Sequence, residues 1–134
     1  MTSFQSDKTS IKSSDVYIFE YLSDFNNFGK LMPEQVVNWQ STRDNCSFTI
    51  QGMADLAMRM DKKVEFSLVS YASEGKSPLP IQLSFSIDRI DDSVSEVVCS
   101  LEAKLNPMIK MMASRPLQNL VNLLVEKLKE ILES

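Results

Sequence analysis

The stretch NPMIKMMASRPLQNLVNLLVEKLKEILES, Asn106 to Ser134, decides how the rest of the chain is read. Asn106 before Pro107 is a helix start. The asparagine caps, and proline at the first helical position loses only an N–H that has no helical partner. Placed at 100° per residue, Leu117, Leu120, Val121, Leu124, Leu128, Ile131 and Leu132 fall within an arc of about 120°. Asn119, Asn122, Glu126, Lys129, Glu130 and Glu133 fall opposite. A helix with one dry face must lie on another element. Met108, Met111 and Met112 are out of phase with that face, and Pro116 lies between the two sets. Proline removes a backbone donor and disfavours helical geometry at the preceding Arg115. Two readings follow. A kink or break near Ser114 to Pro116, which re-aims the methionines toward a pocket mouth or contact surface, is the expectation; the alternative is a straight helix whose exposed methionine patch would mark a partner or membrane surface.

Upstream, the middle of the chain alternates with period two, which is the strand period. Val64, Phe66, Leu68, Ser70 and Ala72 share one side, as do Ile81, Leu83, Phe85 and Ile87. Val97, Cys99, Leu101, Ala103 and Leu105 repeat the pattern, and so do Cys46, Phe48 and Ile50. Ala54, Leu56, Met58 and Met60 follow a break at Gln51-Gly52. Val37 and Trp39 mark a further strand, and a weakly patterned first strand runs from about Phe4 to Lys12. Turn residues separate the strands at Arg43-Asp44-Asn45, Asp61-Lys62-Lys63, Ser73 to Pro80 and Asp91-Asp92-Ser93. Connections this short imply antiparallel neighbours, each with one covered face. Ser13 or Ser14 caps a short helix carrying Val16, Ile18, Phe19 and Leu22, and a second short helix or turn spans Asn26 to Pro33.

The 134 residues are 43% hydrophobic and 24% charged with a net charge of −4, which predicts one domain over residues 1–134. There is no histidine, so no Ser-His or Cys-His catalytic pair and no histidine-bound metal can form. Gly29, Gly52 and Gly75 stand 23 residues apart, too sparse for a dinucleotide fingerprint or a P-loop. No cofactor or metal site is expected. Cys46 and Cys99 fall on apolar strand faces and read as buried free thiols, which suits a reducing cytoplasm. The polar residues Met1 to Ser10 predict no signal peptide, and the longest apolar run is too short for a membrane span. The acidic balance and scattered cations argue against nucleic acid.

One sheet with one dry face and one long helix to cover it gives a sheet curled around a helix. This order resembles the helix-grip fold of the START and polyketide cyclase/dehydrase superfamily, SRPBCC. The closest stretches are LSDFNNFGKLMPEQVVNW (Leu22 to Trp39), CSFTIQGMADLAMRM (Cys46 to Met60) and LNPMIKMM (Leu105 to Met112). The resemblance implies an α+β fold: a curved seven-stranded antiparallel sheet wrapped around the C-terminal helix, with two short helices after the first strand. It also implies a cavity between sheet and helix. Members of the superfamily hold lipids, sterols, quinones or polyketide intermediates there, while others build enzyme sites or act as co-chaperone-like modules. No active-site pattern of the superfamily matches this sequence.

The residues expected to line such a cavity are Trp39, Phe48, Met58, Met60, Phe66, Phe85, Ile87, Cys99, Leu101, Met108, Met112, Leu120 and Leu124. An ordinary packed core is the competing reading of the same apolar set. Tyr71 falls on the outer face of its strand, and Arg89 pairs with Asp91 or Asp92. No Asp or Glu falls on an inward strand position, so a carboxylate acid–base pair lacks support. The expectation is a cytoplasmic protein that binds a small hydrophobic or amphipathic molecule, such as a lipid, quinone or polyketide-like compound, without stable membrane insertion and with a possible homodimer. The alternatives are a cyclase- or hydratase-type enzyme using the same cavity, or a protein-interaction module.

Overall fold

The computed structural model describes residues 2–75 and 80–134. The strands are β1 (Thr2–Gln5), β2 (Thr9–Ile11), β3 (Val36–Ser41), β4 (Asn45–Ile50), β5 (Ala54–Val64), β6 (Leu68–Ser73), β7 (Ile81–Asp91) and β8 (Val94–Ala103). The helices are α1 (Asp15–Leu22), α2 (Phe25–Phe28) and α3 (Pro107–Glu133), with a 3-10 turn over Gly29–Leu31. All strand pairings are antiparallel, in the order β1-β8-β7-β6-β5-β4-β3, and β2 also pairs with β8. The helix-grip architecture is therefore present, with eight strands among the described residues in place of seven. The predicted first strand is interrupted, and both halves pair with β8. Ser6 bridges the gap: its N–H donates to the Cys99 carbonyl (2.8 Å), and its Oγ accepts from the Cys99 N–H (2.9 Å).

Helix α3 covers the β1, β2 and β8 side of the concave face. Ala113, Leu117, Leu120, Val121, Leu124, Val125 and Leu128 are buried there, each stabilising by about 1.5–3 kcal/mol where it is large and aliphatic. Polar clamps fix it at both ends of the contact. Gln118 Nε2 donates to the Gln5 carbonyl (3.0 Å), and Lys129 Nζ to the Ser10 carbonyl (2.8 Å). Asn106 caps as expected, its Oδ1 accepting from Ile109 N–H at 2.8 Å.

Three expectations are corrected. The hairpin between β5 and β6 does not turn at Asp61-Lys62-Lys63. β5 runs on to Val64 with a bulge between Met60 and Lys62, and the chain reverses at Glu65-Phe66-Ser67, with Phe66 at φ 66°. That moves the parity of β6 by one residue. Val69 and Tyr71 face the core, fully buried, and Leu68 shares the convex face with Ser84 and Ser100. Tyr71 is thus an inner residue. Phe66 leaves the strand face and packs edge-on against Phe19 (5.5 Å between centroids).

Nor does Pro116 break α3, which is continuous from Pro107 to Glu133. Pro116 lies on an exposed side, where the Met112 carbonyl it leaves unpaired can be hydrated. The methionines are not re-aimed: Met108 and Met112, both expected at the cavity, are largely exposed, as is Met111. In β3, Val36 and Trp39 pack against the core, where the plain alternation had Val37 and Trp39. Asn38 at φ 57° forms a bulge, so that Asn38 and Trp39 together face the single residue Phe48.

The bulge turns Trp39 inward, between Phe28 (6.0 Å) and Phe48 (5.4 Å). Its indole N–H donates to Ser41 Oγ (3.1 Å), whose hydroxyl donates to Asn26 Oδ1 (2.7 Å). Gly29 is required here, because a Cβ would stand 2.4 Å from Trp39 Nε1. Gly29→Ala is expected to cost about 1–3 kcal/mol of stability, the range for overpacking a filled site. Urea unfolding followed by the emission of Trp39, the sole tryptophan, would measure it. An unchanged midpoint would show that the ring can move aside freely.

Candidate functional site

The centre of the grip is filled. Helix α2 is started by Asp24, whose side chain accepts from Asn26 N–H at 2.9 Å, and it drops Phe25 and Phe28 into the concave sheet. Both are fully buried against Tyr71 (5.0 Å each), and Phe28 also meets Phe85 (6.0 Å) edge-on. Tyr71 Oη donates to the Leu22 carbonyl at 2.6 Å, tying β6 to the end of α1. Of the expected cavity residues, Phe48, Met58, Phe85, Ile87, Cys99, Leu101 and Leu124 lie in this packed interior. Trp39, Met60 and Phe66 are half-buried against it.

An apolar opening lies to one side, at the mouth between the β4–β5 hairpin and the first half of α3. A cleft of about 550 Å³ opens there. Its sheet wall is Gln35, Ile50, Gln51, Gly52, Met53 and Ala54, and its helix wall is Ile109, Met112, Ala113, Pro116 and Asn119. A narrow extension of about 30 Å³ reaches inward to Val36, Leu117 and Leu120. The space exists because small residues, Gly52 and Ala54 on one wall and Ala113 on the other, stand where larger side chains would meet. Gly52 also makes the turn: Met53 N–H donates to the Ile50 carbonyl (3.0 Å), and φ is +77° at Gly52.

Seven of the lining residues are apolar, and the polar side chains are three carboxamides, on Gln35, Gln51 and Asn119. None is charged or titratable. Such a cleft can desolvate apolar surface and offer amide donors and acceptors. It has no group suited to proton transfer at neutral pH or to nucleophilic attack.

Met112 and Leu120 are the expected site residues at this opening, one at its mouth and one at its deep end. Met108 is on the solvent side of α3 and lines neither space. The expected lining did not include Gln35, Ile50, Gln51, Gly52, Met53, Ala54, Ile109, Ala113, Pro116 or Asn119, although Ile50 and Ala54 stood in the strand alternation. The available signal was Gly52 and Ala54 at the hairpin together with Ala113 one helical turn before Pro116.

The thiols take no part in the cleft. Cys46 and Cys99 are free and buried. Burial pushes the Cys46 thiol up to about 12, with a small opposing pull from a hydrogen bond to the Met58 backbone, and raises Cys99 further. Burial likewise raises the Tyr71 hydroxyl. Arg89 pairs with Asp92 at the surface. Among the described residues there is no group of three or more side chains able to hold a metal ion, and no helix long and apolar enough to cross a membrane.

No protein-family model and no curated protein matches the sequence. Solved structures do match. The KanY protein aligns with a TM-score of 0.79 at 13% identity, covering 99% of this chain and 98% of that one. A START superfamily protein from Mycobacterium smegmatis aligns at 0.70 and 16%, covering 98% and 97%. The chain has the START-like helix-grip fold. The Aha1 protein of Colwellia psychrerythraea, solved as a dimer, also shares it, at a TM-score of 0.67 and 15% identity over 99% of this chain and 97% of that one.

The raised thiols set a pH dependence. A group raised on folding contributes its full stability below its unfolded value, and loses it as pH climbs toward the folded one. For Cys46 that window runs from 9.0 to about 12. Urea midpoints are expected to be flat below pH 9 and to fall above it, with a smaller fall in Cys46→Ala. Alkylation of either thiol in the folded protein at pH 8 would contradict this.

Proposed function

We propose that this protein binds a small uncharged lipophilic molecule in the cleft between the β4–β5 hairpin and the first half of α3. The observation that supports this reading is the lining, apolar on both walls with three carboxamides and no charge. Its volume of about 550 Å³ suits a small ligand, since such sites run to roughly 300–1,000 Å³. Affinity comes chiefly from apolar surface removed from water, at about 25 cal/mol per Å² before the costs of association. The carboxamides orient a carbonyl or hydroxyl of the ligand.

The START-like fold agrees with a cavity-based role without naming the ligand. A cyclase or hydratase built here would need buried polar side chains converging on a bound chain. Among the lining residues only Gln35, Gln51 and Asn119 could serve. Binding is therefore the better reading.

The lining also ranks ligands. A carboxylate drawn into this cleft would lose water without gaining a cation, which is costly. Dodecanol is expected to displace the neutral dye Nile red at lower concentration than dodecanoate. Ala54→Trp, which fills the cleft, should weaken Nile red about tenfold or more, the equivalent of about 1.4 kcal/mol. Equal dye binding by the folded Ala54→Trp protein would overturn the cleft as the site.

A further inference from the structure

The first half of α3 presents solvent with a face unlike the rest of the molecule. Met108, Met111 and Met112 are 73%, 87% and 72% exposed. At 100° per residue they share one side with Arg115, opposite the buried Ala113 and Leu117. In the second half of the helix the same side carries Asn122 and Glu126. Contiguous exposed apolar side chains of this kind mark an interaction surface.

Charge is equally uneven. From Lys104 to Val125 there are three cations, Lys104, Lys110 and Arg115, and no Asp or Glu. That segment carries +3, so a chain of net −4 has −7 elsewhere. All three cations are exposed, and among the described residues none forms an ion pair.

These features select the occupant. A two-fold contact between copies through this face would bring Arg115 and the positive segment of one copy against those of the other with no carboxylate of the segment between them, which is repulsive. The face is a convex ridge on a single helix, with no groove of its own to grip a peptide. A bilayer surface suits it: the methionines enter the acyl boundary while the cations meet anionic headgroups. Ile109 and Met112 belong both to this end of the helix and to the cleft wall. Apolar surface therefore continues from the ridge into the cleft.

We propose that the first half of α3, through Met108, Met111 and Met112 with Arg115 beside them, docks the protein on an anionic lipid bilayer with the cleft mouth toward the membrane, while Lys104 and Lys110 add positive charge at the start of the helix. The acidic remainder is repelled from the same surface and fixes the orientation. A ligand exchanged there stays in contact with apolar groups throughout. Only that exchange rests on the binding function proposed above; the docking rests on the exposed face.

Flotation with vesicles tests it, using phosphatidylcholine alone and phosphatidylcholine mixed with phosphatidylglycerol. The protein should float with the anionic vesicles, less with the neutral ones, and less as salt rises. Arg115→Gln, on the methionine side, should lower anionic-vesicle affinity by roughly fivefold, and Lys110→Gln, on the Leu117 side of the helix, by less. The double variant Met108→Asp, Met111→Asp should lose about tenfold or more, while its melting curve and Nile red binding match the parent. Neither position lines the cleft, so dye binding separates the two ideas. Vesicle binding without dye binding would support docking and defeat the cleft reading. Absence of flotation, or equal flotation of the double variant or with both lipids, would overturn the docking. So would a dimer seen by light scattering that the double variant abolishes in place of any vesicle binding.

Discussion

Two phenylalanines one helical turn apart set the interior of this protein. Phe25 and Phe28 descend from α2 into the concave sheet and meet Tyr71 and Phe85, and Phe28 stacks on Trp39. Aromatic contacts of this kind, stacked or edge-to-face, add about 0.5–1.5 kcal/mol per pair beyond burial. The wedge depends on two backbone details. Gly29 lets the 3-10 turn approach the indole ring, and the Asn38 bulge brings that ring inward. The Tyr71 hydroxyl then meets the last carbonyl of α1 and the Trp39 indole N–H meets Ser41, so the polar atoms of the cluster are satisfied.

Filling the centre displaces the empty space. α3 lies over β1, β2 and β8, and α1 over β6 and β7. The cleft lies on the flank beside the β4–β5 hairpin, where Gly52, Ala54 and Ala113 are too small to close it. The cleft inherits its chemistry from that position. It is away from the thiols, away from the surface ion pairs, and bordered by the segment of α3 that lacks carboxylates. Its character is uncharged and lipophilic because none of its lining side chains ionises.

Much of this was legible from spacing alone. The alternation in Ile81 to Ile87 and Val97 to Ala103 matches the buried positions of β7 and β8. The helical stripe from Leu117 to Leu128 matches the buried face of α3, with Val125 added. Where reading failed, a local irregularity had moved the count. Lys62-Lys63 looked like a tip, but a bulge carried β5 past them and a left-handed Phe66 made the turn. Every side chain of β6 consequently changed face, Tyr71 among them. Pro116 looked like a break, but its exposed side tolerates a lost hydrogen bond.

The sequence by itself determined the order of elements, a sheet curled around a long helix, the buried thiols and the lack of histidine chemistry, because those follow from periodicity and composition; the helix-grip fold came from the resemblance of three stretches to a known superfamily. It also held the exposed methionine patch as one of two alternatives. Only the tertiary structure decided where the empty space would be. A core residue and a cavity residue have the same apolar pattern, and they differ in whether a side chain from another element arrives to fill the gap. Phe25 and Phe28 arrive at the centre; at the β4–β5 hairpin, Ala113 leaves the gap open.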